Sequence, residues 1–358
     1  AMAWGPPSYQ RVHDVSLSNE NLEALLKRCS LDPAILQEKP SKKLLYYVHR
    51  QFFLELPFEN LSVLRENWIS LDVNDIINKI CGPPRRGGYC FELNKLLASI
   101  LQHLGFHVQP LASRVFQDDG QTPRLPTPPV QTHMCLLVAP ELGGETFLCD
   151  VAFGKVGLLE PLSLNMLNKG AVKNGHARMK LISSTRRQMS GIDYEIYTLW
   201  YTSTDTETDW IRGYAFLPVQ DCHLLDFIPL NGSVHGYFES PFTHRLWCET
   251  RSPSHVRIFG TEWVMNDGEK STIESGRHLQ QLLQSHFRLD LSLEECRNLY
   301  GLAQAPEPSE KWSRLLALRR RAARLQAPAL SALWHWMSLM AVPTVALALC
   351  WRLRARTT

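Results

Sequence analysis

"PPRRGGYCFELNKLL", residues 83–97, places two prolines, two arginines and two glycines directly before a cysteine that opens an apolar repeat. Apolar residues recur at helical spacing from Leu93 to Leu104. Gly105 follows where a glycine commonly ends a helix. The stretch therefore predicts a helix that begins close to Cys90 and ends at Gly105, with the thiol in its first turn.

The segments on either side of this helix differ in their periodicity. Residues 17–80 carry apolar side chains at helical spacing. Beyond Gly105, FHVQPLASRVF, THMCLLVA and ETFLCDVAF are short runs rich in β-branched or aromatic residues, separated by a Pro-rich segment and a Gly-Gly turn, which is typical of strands. After about residue 216, strand-like runs precede a helical pattern at 274–287. This order predicts an α+β protein whose middle part is a sheet or barrel.

Composition and cysteine usage exclude several classes of protein. The 358 residues carry a formal net charge of only +3, which is too small to indicate a nucleic-acid binder. The nine cysteines are scattered, odd in number and without a Cys-x-x-Cys pair, so the sequence predicts neither a disulfide framework nor a zinc module. The first residues show no secretory signal. We therefore expect a reducing, cytoplasmic compartment.

A thiol in the first turn of a helix lies at the positive end of the helix dipole, which favours the nucleophilic thiolate. The glycines before Cys90 are expected to let the backbone approach a substrate closely. Such a nucleophile needs a base and a group that orients the base. His133 and Asp150 lie in two consecutive predicted strands, and a hairpin turning at residues 140–144 brings His133 within a residue or two of the position opposite Asp150. The pattern leaves open whether both side chains share a face.

The segments around these three residues resemble the arylamine N-acetyltransferase family. RRGGYCFELN, THM in a strand and DVAFG are similar to the three active-site signatures of that family, which hold a Cys-His-Asp triad. The resemblance covers roughly residues 14–300 and includes further landmarks, namely LELPFENLSVL, QPLASRVF, LLEPLSL, SPFTHRLW and LSLEE. One departure is Ala152, where many relatives carry glycine.

The resemblance implies a fold with three domains and a core like that of cysteine peptidases. The expected parts are a helical domain with the nucleophile, a β-barrel domain with the histidine and aspartate, and an α/β lid, which correspond to residues 1–107, 108–215 and 216–302. A basic, then hydrophobic, C-terminal tail follows at residues 303–358, and the resemblance does not explain it.

The implied activity is transfer of an acetyl or other short acyl group from acyl-CoA to the nitrogen of an arylamine, arylhydrazine or similar amine. Cys90, His133 and Asp150 would carry it through an acyl-cysteine, with acetyl-CoA as a substrate and with neither a metal nor a permanently bound cofactor. Phe153 resembles a residue of the acceptor pocket. Thr132 and Tyr214 match positions that contact substrate or CoA.

Two other functions and one segment stay open at the level of sequence. A thiol hydrolase uses the same chemistry, although the local strings of papain-type and caspase-type peptidases are absent. A catalytically idle, membrane-tethered binding module is the other alternative. Residues 325–351 form an apolar run long enough to cross a bilayer, and a helical hairpin or a poorly ordered extension explains the run equally well.

Overall fold

The structure is a computed structural model that describes most of the chain up to residue 304. The ranges described are 16–65, 69–116, 130–154, 157–175, 177–203, 209–220, 222–236, 240–250, 256–266 and 268–304. Within them, no helix combines the length and the apolar character that a bilayer crossing requires. The apolar run at 325–351 lies outside the described residues.

Helices form the first part of the chain, and their ends are set by capping side chains. Ser18 accepts a hydrogen bond from the Asn21 amide at the start of the first helix, and Ser41 accepts one from the Leu44 amide at the second. The helices are α1 (Asn19–Arg28), α2 (Lys42–Glu55), α3 (Leu61–Arg65), α4 (Val73–Cys81) and α5 (Cys90–His103), with a 3₁₀ turn at Pro33–Gln37.

Helix α5 confirms the prediction made from the opening stretch. It begins at Cys90, and its side chains from Cys90 to Leu101 are all buried. Gly105 has a φ of +86°, the left-handed conformation that glycine adopts without steric cost after a helix. The thiol therefore lies at a helix N-terminus inside the protein.

An eight-stranded antiparallel sheet follows and carries the predicted barrel region. Its strands are β2 (His107–Val115), β3 (Gln131–Ala139), β4 (Phe147–Cys149), β5 (Leu162–Ser163), β6 (Val172–Asn174), β7 (Ala177–Arg187), β8 (Asp193–Thr202) and β9 (Ile211–Phe216). The sheet is curled into a half-barrel, and its order in the described residues is β5-β4-β3-β2-β9-β8-β7-β6, so it is open at β5 and β6.

A second, five-stranded sheet joins the beginning and the end of the described chain. Strand β1 (Phe58–Glu59) comes from the helical part and pairs with β10 (Trp247–Thr250). The other strands are β11 (Val256–Phe259), β12 (Glu262–Met265) and β13 (Ser271–Thr272). The helices of this part are α6 (Phe227–Gly236), α7 (Pro241–His244), α8 (Gly276–Phe287) and α9 (Leu293–Ala303), with a 3₁₀ turn at Leu224–Asp226; another 3₁₀ turn, Leu164–Met166, lies between β5 and β6. Helices, sheet and mixed segment thus follow in the predicted order, whereas the boundaries of three separate domains stay a prediction.

Alternation along β3 divides the core and places the candidate site. Met134 and Leu136 pack in the same apolar cluster as helix α5, whereas Cys135 and Leu137 belong to the cluster inside the curled sheet. Because side chains of a strand alternate between faces, His133 shares the face of Cys135.

Candidate active site

The Cys90 thiol lies where the beginning of helix α5 meets the beginning of strand β3. The residue is buried, with 3% of its surface exposed, and Sγ lies 3.8 Å from the carbonyl oxygen of Thr132. Cys90 is the first residue of the helix, where backbone N–H groups lack the carbonyl four residues earlier that later residues of a helix bond to. The location combines a thiol, nearby donors and the positive end of a helix dipole.

The glycines before Cys90 have a structural role in the packing of the chain against strand β1. Gly88 forms an isolated parallel β-bridge with Phe58, and the Gly88 carbonyl oxygen accepts a hydrogen bond from the Glu59 amide at 2.9 Å. A Cβ on Gly87 would lie 2.1 Å from the Pro57 carbonyl oxygen. These glycines therefore bring the backbone against strand β1, and their close approach to a substrate stays a prediction.

A cluster of buried charges fixes the chain that leads into Cys90. Arg86 Nη2 lies 3.2 Å from Glu59 Oε1, and Lys79 Nζ lies 2.7 Å from Glu92 Oε1. Glu59 also accepts the Gly87 amide hydrogen at 3.1 Å, and Glu92 accepts that of Tyr89 at 3.2 Å. Each carboxylate thus binds both a cation and the backbone next to the nucleophile.

The environment keeps Glu59 ionised although it is buried. Burial by itself raises the pKa of Glu59, but the charges of Arg86 and Lys79 and the hydrogen bond from the Leu61 amide hold the pKa below its usual value. Glu59 is therefore a charged partner of Arg86, whereas burial raises the pKa of Glu92 against the opposing charge of Lys79.

His133 and Asp150 meet across the hairpin of strands β3 and β4. Leu136 is paired with Cys149, so Asp150 follows opposite Cys135, two residues from His133 and on the same face. His133 Nε2 lies 2.7 Å from Asp150 Oδ2. The predicted proximity is confirmed, and the question of the shared face is settled by the register.

The His133 ring is charged at neutral pH in this environment. Burial lowers its pKa, but the Asp150 carboxylate and hydrogen bonds to Asp150 and to the Cys90 thiol raise the pKa to about 10. Because Nε2 faces Asp150, Nδ1 is the ring nitrogen left for Cys90. Burial raises the pKa of Asp150, yet the His133 charge and hydrogen bonds from His133, Asn94 and Ala152 lower it overall.

Asn94 is a site residue that the sequence reasoning missed. Its Nδ2 donates to Asp150 Oδ1 at 2.9 Å and to the Met134 carbonyl at 2.6 Å, and its Oδ1 accepts from the Val151 amide at 3.0 Å. It lies one turn after Cys90 on α5. The available signal was a polar amide at a buried position of an otherwise apolar helix.

Three aromatic rings form one side of the site. The ring centroids of His133 and Phe153 are 5.2 Å apart, those of His133 and Tyr214 5.0 Å, and those of Phe153 and Tyr214 4.9 Å. Phe153 is half-buried, whereas Tyr214 is fully buried behind the histidine. Thr132 contributes its carbonyl oxygen beside Cys90. Contacts of these residues with substrate stay a prediction.

The loop after Asp150 explains how Ala152 is accommodated. Gly154 has a φ of +57°, whereas Ala152 is not among the described residues with positive φ. The Ala152 amide donates to Asp150 Oδ1 at 3.0 Å. Alanine therefore fits at position 152 without a left-handed backbone conformation.

Thiol, imidazolium and carboxylate in this order can carry out nucleophilic catalysis at a carbonyl group, with backbone N–H groups available to a developing oxyanion. No group of three or more histidine, cysteine, aspartate or glutamate side chains within the described ranges is arranged to hold a metal ion.

Comparison with known proteins gives a consistent result. A family model described as N-acetyltransferase matches residues 43–296. The chain is 36% identical over 266 residues to an arylamine N-acetyltransferase / N-hydroxyarylamine O-acetyltransferase of Salmonella typhimurium, covering 74% of this chain and 81% of that protein.

Solved structures agree with this relationship. The S. typhimurium arylamine N-acetyltransferase structure is 25% identical, with a TM-score of 0.64 over 84% of this chain and all of the other. The Mycobacterium marinum arylamine N-acetyltransferase, solved in complex with CoA, has the same fold at 21% identity and a TM-score of 0.62, covering 83% of this chain and 99% of that one.

Proposed function

The chain belongs to the arylamine N-acetyltransferase family and is thus an acyltransferase that moves acetyl from acetyl-CoA to arylamines; on that premise we propose that Cys90, His133 and Asp150 are its catalytic triad. The observation that carries the assignment is the 2.7 Å contact between His133 and Asp150, formed beside a thiol at a helix N-terminus. Each group has the neighbour that its role requires.

The first half-reaction transfers the acyl group to the enzyme. The Cys90 thiolate attacks the thioester carbonyl of acetyl-CoA, and N–H groups at the start of α5 stabilise the oxyanion. The carbon–sulfur bond to CoA then breaks, and the imidazolium of His133 gives its proton to the departing CoA thiolate. The products are CoA and an acyl-cysteine beside a neutral imidazole.

The second half-reaction releases the acyl group to an amine. The neutral His133 takes a proton from the nitrogen as it attacks the acyl-cysteine carbonyl, and Asp150 holds the ring in the orientation that this step needs. Loss of the Cys90 thiolate then restores the thiolate–imidazolium pair. The half-buried ring of Phe153 supplies an apolar wall for the aromatic acceptor, with Thr132 and Tyr214 as further contacts to the substrates.

Initial-velocity kinetics with acetyl-CoA and a simple arylamine test this function. Because the acyl-enzyme forms before the amine reacts, varying both substrates should give parallel double-reciprocal lines and one acetylated amine per CoA released. Intersecting lines would indicate a ternary complex and contradict the mechanism. Release of CoA and acetate without transfer to the amine would favour the thiol hydrolase, and no turnover would favour the idle binding module.

The location of the chain is part of the proposal. The cysteine pattern supports a cytoplasmic protein, and residues 325–351 are retained as a candidate membrane contact. Fractionation of a detergent-free lysate tests both points. The membrane contact is supported if the full chain sediments with membranes and a chain without residues 325–351 does not. Recovery of the full chain in the high-speed supernatant contradicts the contact.

A further inference from the structure

His49, on helix α2, is a buried histidine that the triad mechanism does not use. None of its surface is exposed, although the helix also carries the exposed Arg50 next to it. Its Nε2 lies 3.1 Å from the Asp150 backbone nitrogen, and its Nδ1 lies 3.4 Å from the Leu159 carbonyl oxygen. The ring therefore connects α2 to both ends of the loop that begins with the catalytic aspartate.

The two contacts define one protonation state and one tautomer. A backbone N–H can only donate, so Nε2 must accept from Asp150 and carry no proton. Nδ1 then carries the proton and donates to Leu159. Burial lowers the pKa of His49 to about 4, against smaller raising effects from the Leu159 carbonyl and the Asp150 charge. The ring is thus neutral under physiological conditions.

The loop held by His49 contains two groups of the site. Residues 150–159 begin with Asp150 and include Phe153, and the Leu158 amide donates back to the Asp150 carbonyl at 3.2 Å. Asn94 and Ala152 bind Asp150 Oδ1, and His133 binds Oδ2. His49 adds the acceptor for the Asp150 backbone N–H, so the position of the carboxylate depends on α2 as well as on α5.

We propose that His49 is a positioning residue of the active site, whose neutral ring holds the Asp150 backbone and thereby aims the carboxylate at His133. The inference rests on the proposed triad and adds a residue to it. Removing the acceptor would leave a buried N–H without a partner, which favours a shift of the Asp150 backbone. A displaced Asp150 carboxylate stabilises the His133 imidazolium less. Because His133 transfers a proton in both half-reactions, both should become slower.

The test compares three substitutions in the full-length protein. His49→Leu removes both hydrogen bonds at similar volume. In His49→Gln the amide extends far enough to reach the Asp150 N–H, whereas the shorter amide of His49→Asn reaches only the Leu159 side. Arg50→Ala is the matched control, because Arg50 joins the same helix to Glu160, the residue directly after the loop, through an exposed ion pair 3.1 Å long.

The measurements are the melting temperature and the single-turnover rate of Cys90 acetylation by acetyl-CoA, followed as a function of pH. His49→Leu and His49→Asn should acetylate about 10- to 100-fold more slowly, the range expected for one buried hydrogen bond acting on a catalytic group. The alkaline limb of their pH profiles, where His133 loses its proton, should move to lower pH. His49→Gln should recover most of the rate and the profile, and Arg50→Ala should match the wild type.

The outcomes separate the inference from its premise. A wild-type protein that forms no acetyl-Cys90 overturns the proposed function itself. The positioning role is overturned if the wild type is acetylated normally and the folded His49→Asn and His49→Gln proteins have the same rate and the same pH profile. A lower melting temperature with an unchanged pH profile likewise assigns His49 a structural role only. If His49→Leu does not fold, the Asn and Gln pair still decides.

Discussion

The Cys90 arm and the Asp150 arm of the site differ in the interactions that hold them. We define the Cys90 arm as residues 86–92 with Glu59 and Lys79, and the Asp150 arm as residues 150–159 with His49 and Asn94. Buried ion pairs anchor the first, through Arg86–Glu59 at 3.2 Å and Lys79–Glu92 at 2.7 Å. Neutral donors and acceptors anchor the second, apart from the contact with His133.

The difference is informative about what each arm does in catalysis. The ionic arm holds a backbone in place, and its charges bind main-chain amides before the nucleophile. The neutral arm surrounds a charge that takes part in the reaction, so its partners orient Asp150 without adding a competing cation. We therefore expect damage to the Asp150 arm to appear mainly in rates, and damage to the Cys90 arm mainly in stability.

Asp150→Asn should give the largest effect on rate. The amide keeps the shape of the side chain but loses the charge that stabilises the His133 imidazolium, so kcat should fall by about 10³- to 10⁴-fold. Steady-state kinetics measures the loss. Asp193→Asn is the control, since Asp193 forms an exposed pair with Arg187 and should behave like the wild type. Near-normal turnover of Asp150→Asn would contradict the role of the carboxylate.

Glu59→Gln should give the largest effect on stability. It removes a buried carboxylate while Arg86 and Lys79 stay in place, and breaking a buried pair in this way costs about 3–5 kcal/mol. Urea denaturation measures the free energy of unfolding. Glu160→Gln breaks an exposed pair with Arg50 and should cost less than about 1 kcal/mol. Equal losses in the two variants would show that the ionic cluster does not anchor the Cys90 arm.

Gly87→Ala should be less damaging but still clear. The new Cβ would lie 2.1 Å from the Pro57 carbonyl oxygen, so strand β1 and the chain before Cys90 must move apart, at about 1–3 kcal/mol of stability. Gly232→Ala, where a Cβ meets no atom within 4 Å, is the matched control. A Gly87→Ala protein as stable as the Gly232→Ala protein would refute the close approach.

The contact between His133 and Asp150 also makes the stability of the protein depend on pH. The folded pKa of His133, about 10, lies above the unfolded value of about 6.5, so its contribution is complete below about pH 6.5 and is lost as pH rises through about 10. The difference in melting temperature between wild type and Asp150→Asn should therefore shrink as the pH rises from about 6.5 to about 10. Each kcal/mol of stabilisation that is lost should reduce this difference by roughly 2–4 °C. The difference in melting temperature between wild type and Asp193→Asn should stay constant over the same pH range. If the difference for Asp150→Asn grew with pH, it would contradict a charged pair of His133 and Asp150.

Features set by local pattern could be predicted from the sequence. The apolar repeat after Cys90 defined helix α5, and the two runs around residues 140–144 defined the hairpin that brings His133 to Asp150. Both depend on residues that are close in the chain, where periodicity and turn signals are informative.

Features that depend on distant pairing could not be predicted. Strand β1 has only two residues, too few for a period, and its partners are β10 and Gly88. Position 87 likewise requires glycine because its backbone packs against the Pro57 carbonyl, a contact that no local pattern indicates. His49 and Asn94 were visible as polar residues in apolar helices, but their shared partner became clear only once three elements were placed together.

The most direct test of the account is the mass of the protein after incubation with acetyl-CoA in the absence of an amine. We expect a single added acetyl group, mapped by peptide analysis to Cys90, lost on addition of an arylamine and absent from Cys90→Ser. Cys81→Ser, which alters a half-buried cysteine at the end of α4, should label like the wild type. Acetyl found on another residue, or retained by Cys90→Ser, would contradict the assignment of Cys90 as the nucleophile.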